Sequence, residues 1–128
     1  MPAYFEFIDS HQDRFVIRLE DEKKIAEARA ILSGELPQKH VQGTIIKDRA
    51  LYNPDWDYHL EPRSISFFEL AIEVCDASVR YVQDHLAQVG TDFLPRAHWC
   101  PWSSRLTREV RDLADEDNNR ELGLTETT

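Results

Sequence analysis

Ala3-Tyr4-Phe5-Glu6-Phe7-Ile8-Asp9 and Arg14-Phe15-Val16-Ile17-Arg18-Leu19-Glu20, joined by the polar Ser10-His11-Gln12-Asp13, decide the reading of the fold. In the first run Ala3, Phe5 and Phe7 share one face, with Tyr4, Glu6 and Ile8 opposite. In the second, Phe15, Ile17 and Leu19 oppose Arg14, Val16 and Arg18. Successive strand side chains point to opposite faces, so the two runs read as a β-hairpin with one strongly apolar side. That side needs a cover. Asp21 is placed to cap a helix carrying Ile25, Ala28, Ile31 and Leu32 at helical spacing, and Gly34 suits its stop.

Farther out, Val41, Gly43 and Ile45 alternate with Gln42, Thr44 and Ile46 as a third strand. After a Tyr52-Asn53-Pro54 loop, Trp56, Tyr58 and Leu60 alternate with Asp57 and His59 as a fourth, which Pro62 ends. Ser66 and Glu69 form a capping-box pattern, and Gly90 stands where a long helix should stop. On that helix Phe67, Ala71, Val74, Ser78, Tyr81, Val82, His85 and Val89 would share a face, with Glu69, Glu73, Asp76, Arg80, Gln83 and Asp84 opposite. Phe68, Cys75, Val79 and Leu86 make a second apolar flank, for which Trp99-Cys100-Pro101-Trp102 is the natural cover. A last helix is expected from Ser104 to Leu113, with Leu106, Val110 and Leu113 inward. The fold class expected is α+β, a four-stranded, mainly antiparallel sheet with helices packed on one face. It forms a single domain over residues 1–113, followed by an acidic, flexible tail over 114–128.

A chain of 128 residues suffices for one domain with its own core. A net charge of −9 and a pI near 4.9 argue against nucleic acid and anionic membranes, since phosphate affinity comes from clustered Lys and Arg. No apolar run approaches the roughly 20 residues that cross a bilayer. Glu6 within the opening residues speaks against a signal peptide, so the cytoplasm is expected, or the exterior if a leader has been removed.

No nucleophile elbow, phosphate loop or dinucleotide fingerprint occurs, and no cofactor is expected. Cys75 reads as inert packing on a helix flank. His98-x-Cys100, with Cys75 and His85, lacks the usual zinc-ligand spacing, so no metal is expected. Cys75 and Cys100 should lie close together, and bonded if the protein matures outside the cytoplasm. His85 reads as a core histidine bonded to a carbonyl. Asp115, Asp117, Asn119, Leu122 and Glu126 imitate a calcium loop, but Arg120 stands where a glycine is needed and no exit helix follows.

The sheet face turned away from the helices is the expected functional surface. Period-two parity puts Tyr4, Glu6, Val16, Arg18, Gln42, Thr44, Ile46, Asp57 and His59 there. His59 is the candidate base, with Arg18 and Glu6 supporting it; Tyr4, Asp57, Gln42 and Thr44 are candidate ligand contacts. Should these fail, His85 and Trp102 are next in line.

Several phrases taken together carry a resemblance: Ala3-Tyr4-Phe5-Glu6-Phe7, Phe15-Val16-Ile17-Arg18-Leu19, Ala28-Arg29 with Ile31-Leu32-Ser33-Gly34, and Tyr52-Asn53-Pro54-Asp55-Trp56 with His59-Leu60. Glu73-Val74-Cys75-Asp76-Ala77, Phe93-Leu94-Pro95 and Trp99-Cys100-Pro101-Trp102-Ser103 complete the set. From Ala3 to about Val110 the chain resembles the BP-seventy-four-like N-terminal domain family, small bacterial proteins related to an amoebal calmodulin-binding protein and often secreted. The family carries no catalytic signature. The resemblance therefore implies a small binding or interaction module for a small molecule or a protein partner, with a homo-oligomer among the expected assemblies. The competing reading is a cofactor-free isomerase, lyase or cyclase. Calmodulin itself is a poor match, because it takes basic amphipathic helices. The long helix would expose Glu69, Glu73, Asp76 and Asp84 against Arg80 alone, and in the last helix Glu109 and Asp112 dilute Arg105, Arg108 and Arg111.

Overall fold

The computed structural model describes residues 1–70 and 74–111. Ala71, Glu73, the end of the expected last helix and the calcium-loop look-alike lie outside the described residues.

The hairpin forms as read. β1 (Ala3–Ile8) and β2 (Arg14–Leu19) pair antiparallel, from Ala3 opposite Leu19 to Ile8 opposite Arg14. Their turn is held by the Asp9 carboxylate, which accepts from the His11 and Asp13 N–H groups at 3.0 and 3.2 Å. Its second oxygen accepts from Val79 N–H at 2.9 Å, so this buried anion has backbone donors on both oxygens. α1 (Glu22–Ser33) starts where Asp21 accepts from Lys23 N–H at 2.7 Å and ends at Gly34, whose φ of 87° is left-handed. Ile25, Ala28 and Ile31 are its buried stripe.

β3 (His40–Ile46) alternates as expected, with Val41, Gly43 and Ile45 inward. Around it pair β4 (His59–Leu60), β5 (Ser66–Phe68) and, later in the chain, the short strand His98–Trp99, all antiparallel. The four-stranded antiparallel sheet therefore exists, but β1 and β2 are not in it. They form a second sheet with a strand at Arg105–Glu109.

That strand and the segment before it correct two helix expectations. Where helical spacing predicts a single long helix from Ser66, the chain makes β5, then α2 (Val79–Asp84) and a 3₁₀ turn at Leu86–Gln88. Next come β6 (Val89–Gly90) and β7 (Phe93–Pro95), a short parallel pair, then β8 (His98–Trp99) and β9 (Arg105–Glu109). Val74, inward on the helical wheel, is 92% exposed. The cause is competition for caps and strand partners. Ser66 is a strand residue whose hydroxyl accepts from Gln42 Nε2, and Ser78 instead caps α2 by accepting from Tyr81 N–H at 3.1 Å. The apolar residues expected inside the last helix serve a strand: Leu106 lies opposite Phe7 in β9, and Val110 N–H donates to the Tyr4 carbonyl.

The main core joins residues of both sheets, and Phe68, Cys75 and Cys100 form a smaller cluster apart from it. Phe5, Phe7, Phe15, Ile17 and Leu19 meet Val41, Ile45, Leu60 and Trp99, with α1 and the buried Val79 and Val82 of α2 closing the edges. Trp99 is its hub, with ring centroids 5.3 Å from Phe15, 5.6 Å from Tyr58 and 6.0 Å from Phe7. Tilted and edge-on pairs of this kind add to plain burial. No helix among the described residues is long and apolar enough to cross a membrane.

Candidate functional site

Parity holds in the Trp56–Leu60 stretch: Trp56, Tyr58 and Leu60 are buried, Asp57 is exposed and His59 is half-buried. Of these residues only His59 and Leu60 pair as a strand. Tyr4 and Glu6 do turn away from Phe5 and Phe7, but they are not on an open surface. All six β1 residues are buried, Tyr4 at 2% and Glu6 at 6% exposure. β1 is the central strand of its sheet, and its outer side has acquired two covers.

Over Glu6 lies β9. Thr107 Oγ1 donates to Glu6 Oε1 at 2.7 Å, and Arg108 approaches Oε2 at 3.3 Å. The carboxylate is thus a clamp between strands. Over Tyr4 lies the loop that follows β3. Tyr52 sets its ring 5.2 Å from Tyr4 and 6.1 Å from His59, edge-on to the imidazole. Arg18 Nη1 donates to the Tyr4 hydroxyl at 3.2 Å, and its Nε donates to Glu20 at 3.0 Å. Tyr4, Arg18 and His59 are therefore brought together, with the loop residue Tyr52 as a link that strand parity does not reveal. Burial pushes the Tyr52 phenol up to about 12, so it is neutral and a donor at physiological pH. His59 Nδ1 lies 2.7 Å from the Asp48 carbonyl, a contact only an N–H can make, so Nδ1 is the donor there.

The other expected contacts are engaged elsewhere. Asp57 accepts from Arg49 Nη2 at 2.5 Å and Gln83 Nε2 at 2.9 Å, and the guanidinium, then the amide, hold its carboxyl below the usual range. Gln42 donates to Ser66, and the Thr44 N–H donates to Ser64 Oγ at 2.8 Å. His85 caps α2, with Nδ1 2.9 Å from the Tyr81 carbonyl and its ring stacked 4.0 Å from Tyr81. Trp102 is 40% exposed.

Two surface cavities fall outside the sequence-based expectations. One of about 440 Å³ is lined by Glu20, Asp21, Lys24, Pro62 and Arg63, and it shares Glu20 with the Arg18 cluster. The other, of about 500 Å³, is lined by His11, Asp13, Ser78, Arg80, Tyr81 and Asp84. His59 lines neither. Tyr52 could have been suspected from its place in an aromatic Tyr-Asn-Pro turn, whereas the cavities join residues too distant in sequence to signal themselves.

Cys75 and Cys100 are joined in a disulfide with Cα atoms 5.1 Å apart. The expected proximity is met, although Cys75 sits in irregular chain and not on a helix flank.

The family model of the BP-seventy-four N-terminal domain matches residues 1–112, and the chain belongs to that family. No curated protein and no solved structure matches it.

Proposed function

We infer that this member of the BP-seventy-four N-terminal domain family is a binding module whose ligand surface is the outer side of the β1–β2 hairpin. The observation that carries the reading is the unbroken succession of Arg18, Tyr4, Tyr52 and His59, each in contact with the next. Tyrosine and arginine combine large apolar area with directed polar groups, which is why they recur at binding hot spots. Here they present the Tyr52 phenol ring, a guanidinium and an imidazole, with the buried Tyr4 ring behind them. The matching ligand is a small molecule or peptide segment with a planar apolar part and an anionic or donor group beside it. The acidic Glu20, shared with the neighbouring cavity, favours a ligand that also carries a donor.

Nothing in the geometry favours an acid–base enzyme. Glu6 is committed to Thr107 and Arg108, and His59 lines neither of the two cavities described above. The test is to titrate the uniformly ¹⁵N-labelled chain with a panel of aromatic carboxylates and amino-acid derivatives. Shifts should cluster at Arg18, Tyr52 and His59, and Arg18→Ala and His59→Ala should each weaken binding by about tenfold with thermal unfolding unchanged. Shifts centred on Arg80 and Tyr81, or full affinity in both variants, would remove the assignment.

A further inference from the structure

We propose that, once reduced, the Cys75–Cys100 pair forms with His98 a three-ligand site for a zinc-class divalent cation. The Cys75 and Cys100 sulfurs and a His98 ring nitrogen all lie within 4.8 Å of one another. Tetrahedral zinc with Zn–S near 2.3 Å and Zn–N near 2.0 Å sets its ligand atoms about 3.5–3.8 Å apart, so side-chain shifts of about 1 Å would close the sphere. The donors are right for the ion: two thiolates and an imidazole, with the fourth position left to water or a ligand. Both cysteines are buried and His98 is half-buried, so the imidazole side offers the way in.

The site is held in place by bonds other than the one that must break. Cys100 N–H donates to the Cys75 carbonyl at 2.8 Å. Trp102 N–H donates to Asp76 Oδ1 at 3.0 Å, and Trp99 Nε1 donates to the Ala77 carbonyl at 2.9 Å. β8 fixes His98 opposite Thr44 in the four-stranded sheet. Removing the S–S bond therefore leaves both cysteine backbones stapled to each other. In balance, a dithiol reductant takes the disulfide to two thiols and is itself oxidised to a disulfide. Cation binding then displaces the two thiol protons to water, giving a site with no net charge. The spacing His98-x-Cys100 spoke against a metal in the sequence, and Cys75, 23 residues or more away, meets the pair only through the fold.

The experiment uses the whole chain, reduced with a dithiol that is then removed without air, and titrated with cobalt(II). Expected are one cobalt per chain, thiolate-to-cobalt charge transfer with the intense visible bands of tetrahedral cobalt, and displacement by zinc. The oxidised chain should bind none. His98→Ala should weaken binding by at least the roughly tenfold that losing even an outer-shell partner costs, with altered visible bands. Three results would overturn the proposal. The first is no charge transfer in reduced protein that keeps its native near-ultraviolet dichroism. The second is His98→Ala with unchanged affinity and spectrum, and the third is unfolding on reduction that neither cobalt nor zinc reverses.

Discussion

Opening the disulfide should lower stability by a calculable amount without unfolding the domain. Cys75 and Cys100 are 25 residues apart, so the bridge closes a loop of about that size in the unfolded chain. The chain-entropy relation for such a loop gives about 3.5 kcal/mol at 25 °C. In a domain of this length each kcal/mol moves the midpoint by about 3–5 °C, so reduction should lower Tm by about 10–17 °C. Domains commonly have about 5–15 kcal/mol in hand. With the Cys100–Cys75, Trp102–Asp76 and Trp99–Ala77 hydrogen bonds intact, the reduced chain should stay folded at 25 °C. Trp99 is fully buried beside the bridge, so tryptophan fluorescence followed through heat and urea, with and without a dithiol, reads the transition directly. The urea m-value should rise on reduction, because the uncrosslinked unfolded chain exposes more surface. A Tm change under about 3 °C would refute the unfolded-state argument. A reduced chain already unfolded at 25 °C would refute the claim that the backbone staples suffice.

Gly43→Ala would set a Cβ 3.2 Å from Ser64 Oγ, an atom fixed by the Thr44 N–H at 2.8 Å and the Glu61 carbonyl at 2.7 Å. Overpacking of about 1–3 kcal/mol outweighs the roughly 0.5–1 gained by removing a strand glycine, so thermal melts should show a net loss near 1 kcal/mol, smaller in a Ser64→Ala background. Glu109→Gln breaks the two-pronged pair with Arg29 at 2.9 and 2.9 Å. With the Arg29 side chain 52% exposed, the cost at neutral pH should be about 1 kcal/mol. Arg29 holds the Glu109 carboxyl below its ordinary value, so this stabilisation is complete above about pH 4.3 and is lost as pH falls through the lower folded value. Melts of wild type and variant should converge as pH falls through that lowered value. Asn53→Ala, removing a buried amide with two backbone partners, should cost about 2–3 kcal/mol in urea denaturation and weaken ligand binding at Tyr52 as well.

What was legible in the sequence is what neighbouring residues settle between themselves. The β1–β2 register, the α1 caps at Asp21 and Gly34 and the alternation of β3 are all local, and each is found. The stretch from Ser66 to Gly90 failed because two local codes coincide there. Its apolar residues recur at helical spacing, yet Phe67 and Phe68 also suit a strand and find Val41 and His40 as partners. Ser78 and Asp76, read as helix interior, spend their oxygens on the Tyr81 and Trp102 N–H groups. The β1–β9 pairing joins residues about a hundred positions apart, and no periodicity announces it. The candidate site shows the same division. Parity placed His59 and Arg18 on the outer side, but only the fold reveals that Glu6 is engaged by Thr107 and Arg108 of the neighbouring β9 and that Tyr52 bridges the rest.

The bridge by Tyr52 has a structural origin. β2 is an edge strand, and an edge with free N–H and C=O groups invites other strands. The loop after β3 occupies that edge. Asn53 Oδ1 accepts from Val16 N–H at 2.9 Å while its Nδ2 donates to the Tyr58 carbonyl at 3.1 Å, and Trp56 Nε1 donates to the Arg14 carbonyl at 2.7 Å. Both side chains are buried by the same contacts. Once Asn53 and Trp56 are anchored, Tyr52 has little choice but to lie over Tyr4, and the short Tyr58–Leu60 run brings His59 beside it. Edge protection thus fixes the aromatic rings of the proposed surface in advance of any ligand. A surface already immobilised has less side-chain entropy to lose on binding, which suits a module whose ligand contacts are few.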